Sequence, residues 1–292
     1  MRIGAILPQT EIGPDPGRIR YFGQAVEQLG FDHLVAYDHV LGADPSVHGG
    51  WDGPYDVDTE FHEPFVVFGF LAGIISLELV TGILILPQRQ TALVAKQAAE
   101  VDLLTQGKLR LGVGIGWNAV EYGSLGQDFT VRGRRVEEQV DLLRKLWTCR
   151  SVTFEGEFDR VVGAGIAPLP VQRPIPIWFG GFSPKVYDRI GRLADGWFPL
   201  IPPGDQLDEA LAIIRAGAES SGRDPASISM EGRVNWSGDL GKAIAECRRW
   251  ADVGASHVSI NTMGAGLSSV EEHVEILGAI AGELGLGASA SV

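Results

Sequence analysis

Asp38 and His39, adjacent in the chain, are the pair best placed to move a proton. An imidazole beside a carboxylate can give or take a proton at a reacting oxygen, as hydride or oxygen chemistry on a carbonyl requires. The same two letters also fit a turn in which Asp38 only caps the backbone. A second cluster, Gly180-Gly181-Phe182-Ser183-Pro184, combines paired glycines with a serine suited to a helix N-cap and a proline suited to the first helical position. Converging backbone N–H groups at a helix N-terminus attract a phosphate, although a plain tight turn explains the same residues. Gly112, Gly114 and Gly116 alternate along an apolar run that ends in Trp117-Asn118. A strand face without side chains admits close approach by another backbone or a flat ligand. Trp117 could then line a flat pocket, and Asn118 could offer an amide to a polar ring edge. A core tryptophan at a strand end is the plainer alternative.

These residues need elements to hold them. Residues 2–7 alternate into a first strand, residues 13–17 form a Gly/Pro loop, and residues 18–29 carry helical spacing. A second strand over residues 31–36 runs straight into Tyr37-Asp38-His39. Residues 41–63 are rich in Gly, Pro, Asp and aromatics, a longer connection than a strand and helix need and therefore a candidate functional loop. Its Trp51, Tyr55, Phe61 and His62 are expected to shape a substrate pocket and to close over it. A helix over residues 64–76 follows. The chain then runs through a strand at 80–86, Arg89 at its mouth, a helix at 92–104 ended by Gly107, and a strand at 109–115. Strand, crossover helix and strand imply parallel pairing, and parallel barrels keep their ligands at the C-terminal strand ends. A polar loop is expected up to residue 131, and a helix over 134–147. Residues 148–173 break the alternation as an inserted hairpin and Pro-rich connector. Strands at 175–179, 196–198, 228–234 and 257–260, with helices at 184–193, 207–221, 242–253 and 270–281, complete eight strand signals. The tail from residue 285 is expected to fray.

Regular alternation without a change of composition predicts the α/β class and one (β/α)₈ barrel over residues 1–292, with insertions near 41–63 and 148–173. A two-domain dinucleotide-binding fold fits less well. Gly112 and Gly114 begin a GxGxxG, but Trp117 stands where its third glycine belongs.

Composition removes several function classes. The net charge of −13 opposes sequence-independent binding to nucleic acid. No apolar run approaches the length of a membrane span, and the opening MRIGAILPQT is too short for a secretory signal. Cys149 and Cys247 form no CxxC, which suits free thiols in a reducing cytoplasm. The six histidines show no HExxH or paired ligand spacing, so no metal site is expected, and no GxSxG elbow is present. Arg132, Arg134 and Arg135 read as solvated helix surface, whereas Arg89 is a candidate to meet an anionic part of a ligand.

The stretches TGILILPQRQ, AKQAAEVDLLTQGKLRLGVGIGW, IWFGGFSP and ADGWFP together resemble the bacterial luciferase-like flavin and deazaflavin oxidoreductases, in order and spacing along most of the chain. The resemblance implies a hydride transferred between a flavin-type ring and a small organic substrate. It favours the deazaflavin coenzyme F-420, with reduced FMN and molecular oxygen, a monooxygenase, as the alternative. A deazaflavin carries carbon where flavin has the nitrogen beside its oxygen-reactive carbon, so it transfers hydride without forming a useful peroxide. By resemblance, Asp38 or His39 lies at the cofactor ring, and Thr81-Gly82-Ile83 carries a non-prolyl cis peptide, between Gly82 and Ile83, that supports the ring from behind. Gly116, Trp117 and Asn118 would border the ring, and Gly180, Gly181 and Ser183 would hold the cofactor phosphate. Relatives of this kind are often homodimers, and some are non-catalytic flavin-binding barrels. One departure stands out. Related sugar-phosphate dehydrogenases place an acidic glutamate near Trp117 and Asn118, and neither position is a carboxylate here, which speaks against that substrate class.

Overall fold

The computed structural model describes residues 1–287. Its chain order is β1 (Arg2–Ile6), α1 (Pro16–Gln28), β2 (His33–Ala36), α2 (Pro64–Ala72), β3 (Glu78–Thr81), β4 (Leu84–Ile85), α3 (Thr91–Leu104) and β5 (Leu109–Gly114). It continues with α4 (Ala119–Ser124), α5 (Arg132–Thr148), β6 (Val152–Glu155), β7 (Arg160–Ala164), β8 (Ile177–Gly180), α6 (Pro184–Leu193) and β9 (Gly196–Phe198). The last elements are α7 (Asp205–Ser220), β10 (Ser229–Asn235), α8 (Leu240–Asp252), β11 (His257–Asn261) and α9 (Val270–Leu284). Neighbours run β3-β2-β1-β11-β10-β9-β8-β5, all parallel, and the ring closes where Leu79 and Val80 of β3 pair with Leu109 and Arg110 of β5. This is the expected (β/α)₈ barrel.

The outer core lies between strands and helices. Leu34, Leu79, Leu111 and Ile177 are fully buried there, each stabilising the fold by about 2 kcal/mol relative to exposure. Helix starts follow local chemistry: Asp15, Glu63, Ser183, Asp239 and Ser269 each accept a backbone N–H at an N-cap. The Asp15 cap is why α1 begins inside the Gly/Pro cluster rather than at residue 18.

Three expectations change. The apolar run at 80–86 is not one strand: a cis peptide at Gly82–Ile83 interrupts it, leaving β3, β4 and a 3-10 turn over Leu86–Gln88. The polar stretch before residue 132 is partly helical, because Asn118 accepts the N–H groups of Val120 and Glu121 and starts α4. At the C-terminus, Gly285 ends α9 in the left-handed conformation, and a side chain on Gly30 would strike the backbone of Gly287, so 285–287 pack against the turn before β2. The rest of the expected frayed tail lies outside the described residues. The insertion is an antiparallel β6-β7 hairpin, as expected, and residues 41–63 contain neither helix nor strand. No helix among the described residues is long and apolar enough to cross a membrane.

Candidate active site

Strands β3, β5 and β8 form a glycine-rich wall at the C-terminal mouth, and the chain itself fills the room those glycines leave. A Cβ on Gly112 would sit 1.9 Å from the Thr81 carbonyl oxygen, and the Thr81 hydroxyl donates to the Gly112 carbonyl at 2.6 Å. The Ile83 side chain seats against Gly114 and Gly180, where added Cβ atoms would come within 2.4 and 2.9 Å of it. The bare strand face therefore receives the bulge after β3, and the surface presented to a ligand is Ile83. Across from this wall stand residues of β1, β2, β10 and β11: Ile6, Val35, Glu231 and Ser259, with Tyr37 just beyond β2 and Arg233 within β10. Between them is a cavity of about 500 Å³, within the range that holds cofactors and small ligands.

One end of the cavity is built to meet an anion. Gly181 adopts φ +143, Ser183 caps α6 by accepting the Val186 N–H at 3.4 Å, and Pro184 opens the helix. Arg132, the first residue of α5, lines the same end with its guanidinium 3.6 Å from the centroid of the Phe129 ring. It has no carboxylate partner among the described residues, and its buried Nε has no hydrogen-bond partner. Arg134, by contrast, pairs on the surface with Glu157, so only one member of the basic cluster turns inward to the cavity.

A model of the luciferase-like monooxygenase family matches residues 1–250 of this chain. The chain belongs to that family. An F420-dependent glucose-6-phosphate dehydrogenase of Nakamurella multipartita is 29% identical over 260 residues, covering 86% of this chain and 72% of that protein. Among solved structures, the monooxygenase RslO1 from Streptomyces bottropensis shares the fold with a TM-score of 0.77 at 21% identity, over 97% of this chain and 98% of that one. An F420-dependent secondary alcohol dehydrogenase in complex with an F420-acetone adduct superposes with a TM-score of 0.75 at 17% identity, over 96% and 98%.

In this luciferase-like chain, seven of the residues singled out in the sequence share one cavity: Gly82, Ile83, Gly116, Trp117, Gly180, Gly181 and Ser183. The others are placed elsewhere. Asp38 is buried behind β4, its carboxylate accepting from the Ile85 N–H at 3.0 Å and from Arg89 at 2.8 Å. Burial pushes that carboxyl up against the opposing pull of Arg89. Arg89 also pairs with Glu63 at 2.8 Å, so it ties β2, the loop and the helix start together rather than facing the cavity. Thr81 bonds within the wall, Asn118 caps α4, and His62 lines neither hollow.

His39 faces a second hollow of about 230 Å³ that also meets Tyr55, Phe61 and Asn118. Trp117 separates it from the main cavity, its ring 5.8 Å from His39 and 5.6 Å from Trp51. Trp51 in turn donates its indole N–H to the Tyr55 carbonyl at 3.1 Å, holding the 41–63 loop over Trp117. Behind His39 is Glu121, fully buried, whose Oε2 lies 3.4 Å from Nδ1. Burial pushes Glu121 up, but hydrogen bonds from His39, Gln88 and the backbone of Val40 and Leu41 outweigh it and leave the carboxyl below its ordinary value. A carboxylate does lie near Trp117 and Asn118, four residues after Trp117 in the first turn of α4, but it is buried behind His39 and lines neither hollow. In the sequence Glu121 looked like one more polar residue of a loop.

The floor of the cavity is charged, and the sequence carried a signal for it: Glu231 and Arg233 alternate within the short strand SMEGRVN. Glu231 is bonded by Arg110, His33 and Ser259. Against the upward push of burial, His33 and Arg110 hold its carboxyl well below the usual range. Arg110 also pairs with Glu78 and lies 4.3 Å from the Trp178 ring centroid. This interior layer neutralises itself and leaves Arg233 and the Tyr37 hydroxyl as the polar groups still available above it.

Proposed function

We propose that this protein is an F-420-dependent oxidoreductase that passes a hydride between the deazaflavin and a small organic substrate. The observation that carries the reading is the shape and charge of the main cavity: an apolar support at Ile83 on one wall and, beside the N-terminus of α6 at one end, Arg132, which bonds to the Phe129 carbonyl but has no carboxylate partner among the described residues. The residues present fit such a cofactor. Ile83, backed by Gly114 and Gly180, would support the ring; the backbone N–H groups of Gly180 and Gly181, the start of α6 and Arg132 would hold the phosphate. When bound, the deazaflavin supplies the hydride chemistry. The chain's own contribution is to orient the ring and to exclude water with Trp117 and the 41–63 loop; a substrate that extends past Trp117 into the second hollow would exchange its proton at His39 Nε2, with Glu121 orienting the imidazole through Nδ1. The relative named as an F420-dependent dehydrogenase supports F-420 over FMN. The second reading is reduced FMN with oxygen, a monooxygenase, the activity named for one neighbour in the fold.

Equilibrium titration of the purified protein with oxidised F-420 and, separately, with FMN, followed by cofactor fluorescence, tests the reading. Saturable F-420 binding that weakens in Arg132→Met, with FMN bound at least about tenfold more weakly, is expected. Preference for FMN, or no binding of either, would overturn it.

A further inference from the structure

The wall facing Ile83 carries a polar pair that the reading above does not use. Arg233 projects from β10 into the main cavity and has no carboxylate partner among the described residues. The Tyr37 hydroxyl, at the end of β2, is buried without a hydrogen-bond partner and also borders the cavity. The guanidinium of Arg233 lies beside that hydroxyl and acts on it, and it acts also on the phenol of Tyr55 from the 41–63 loop. A buried O–H that donates to nothing costs about 1–3 kcal/mol unless a ligand or water accepts from it.

Barrel topology fixes which side of a bound ring this pair would face. A planar group resting on Ile83 is backed by β3, β5 and β8, so its open face looks toward β10, β11, β1 and β2. That face is where a substrate must lie to exchange a hydride. The neighbouring carboxylate, Glu231, does not compete for the cation, since Arg110, His33 and Ser259 occupy it. Burial also pushes the Tyr37 phenol up, so it remains an O–H donor at neutral pH.

We propose that Arg233 and the Tyr37 hydroxyl form an anion-binding subsite for the substrate, and that this substrate carries a carboxylate. The guanidinium fork grips both carboxylate oxygens and the phenol donates to a lone pair left free on one of them. The position of the subsite relative to the ring rests on the cofactor placement proposed above; the anion site itself does not.

Calorimetric titration with benzoate and its neutral isostere benzamide, on both the free and the F-420-loaded protein, tests this. Benzoate is expected to bind about tenfold or more tightly than benzamide, a preference that Arg233→Met abolishes and Tyr37→Phe reduces by roughly threefold to tenfold. Arg233→Lys should retain part of the preference, and it serves as the second variant should Arg233→Met not fold. F-420 affinity, read by fluorescence, should change less than about twofold in all three. Equal affinities for the two probes in the unmodified protein, or a benzoate preference that survives Arg233→Met, would overturn the proposal. So would a loss of F-420 affinity of about tenfold in Arg233→Met, which would place the anion on the cofactor. Benzoate preference in a free protein that ignores F-420 would sink the cofactor reading and leave this subsite standing.

Discussion

His39 Nδ1 lies 3.4 Å from Glu121 Oε2, and the opposite oxygen of the same carboxylate accepts the backbone N–H of Val40 at 2.6 Å and of Leu41 at 3.2 Å. One buried side chain from α4 therefore sets both the tilt of the imidazole and the path of the loop that leaves it. Replacing His39 with Ala is expected to slow reduction of bound F-420 by about 10²-fold or more while changing F-420 affinity little. Stopped-flow absorbance over a panel of small hydroxy acids and alcohols would measure the first, and fluorescence titration the second. Proportionate losses in both would make the chain a binding barrel rather than an enzyme.

Glu121→Ala strands four donors at once and should destabilise the fold by about 2–4 kcal/mol in urea unfolding. Glu121→Gln, which keeps an acceptor, should cost less than half of that. The sign of the pH effect follows from the depressed carboxyl. The folded chain binds this proton less readily than the unfolded chain, so the contribution is fully present above the ordinary value of 4.5 and fades as pH falls below it. Glu121→Gln should flatten the stability curve in that acid window, and an unchanged curve would refute the assignment.

A methyl group added at Gly114 would sit 2.4 Å from Ile83 and push that side chain into the cavity. Gly114→Ala is expected to lower F-420 affinity by about tenfold and stability by about 1–3 kcal/mol. The double variant Gly114→Ala with Ile83→Ala should recover part of both losses, because the residues touch and their effects cannot add. Strict additivity would mean that Ile83 is not the support for the ring.

Much of this wall was readable from letters alone, since apolar runs closed by Pro87, Gly107 and Pro184 punctuate a barrel whatever its ligand. The glycine row at 112, 114 and 116 likewise announced a close approach. What approaches was hidden, because Thr81 and Ile83 reach those glycines from another strand. Asp38 misled for a related reason. A carboxylate at a strand tip looks the same whether it faces the mouth or an arginine 51 residues later. Arg233 and Tyr37 share the cavity only through the closure of the barrel, which brings the second and seventh strands to one side, and Arg132 enters it from the start of α5.

Asp38 is bonded to Arg89 and the Ile85 N–H and lies outside the main cavity. Arg89→Met leaves that carboxylate buried and unpaired, so a loss of about 3–5 kcal/mol is expected on denaturation. Asp38→Asn keeps an acceptor for Ile85 and should lower stability less. F-420 affinity should stay within about twofold in Asp38→Asn, given the distance from the proposed ring site. A tenfold loss of affinity there, with stability intact, would return Asp38 to the cofactor.

Burial, and then the charge of Arg110, push His257 down from 6.5 to about 3. The unfolded chain takes up this proton as pH drops below about 6.5, whereas the folded chain stays neutral until near 3, so the unfolded state binds more protons throughout that window. Stability must then fall with falling pH at up to about 1.4 kcal/mol per unit from this group alone. His257→Gln offers Ser256 a polar partner in place of Nδ1 and cannot protonate, so it should remove about one proton's worth of slope between pH 6 and 4. The slope should not vanish, because His273 is also held down by burial and makes the same demand. Urea midpoints at several pH values would show the difference, and an identical slope in the variant would mean that His257 is already protonated in the folded barrel.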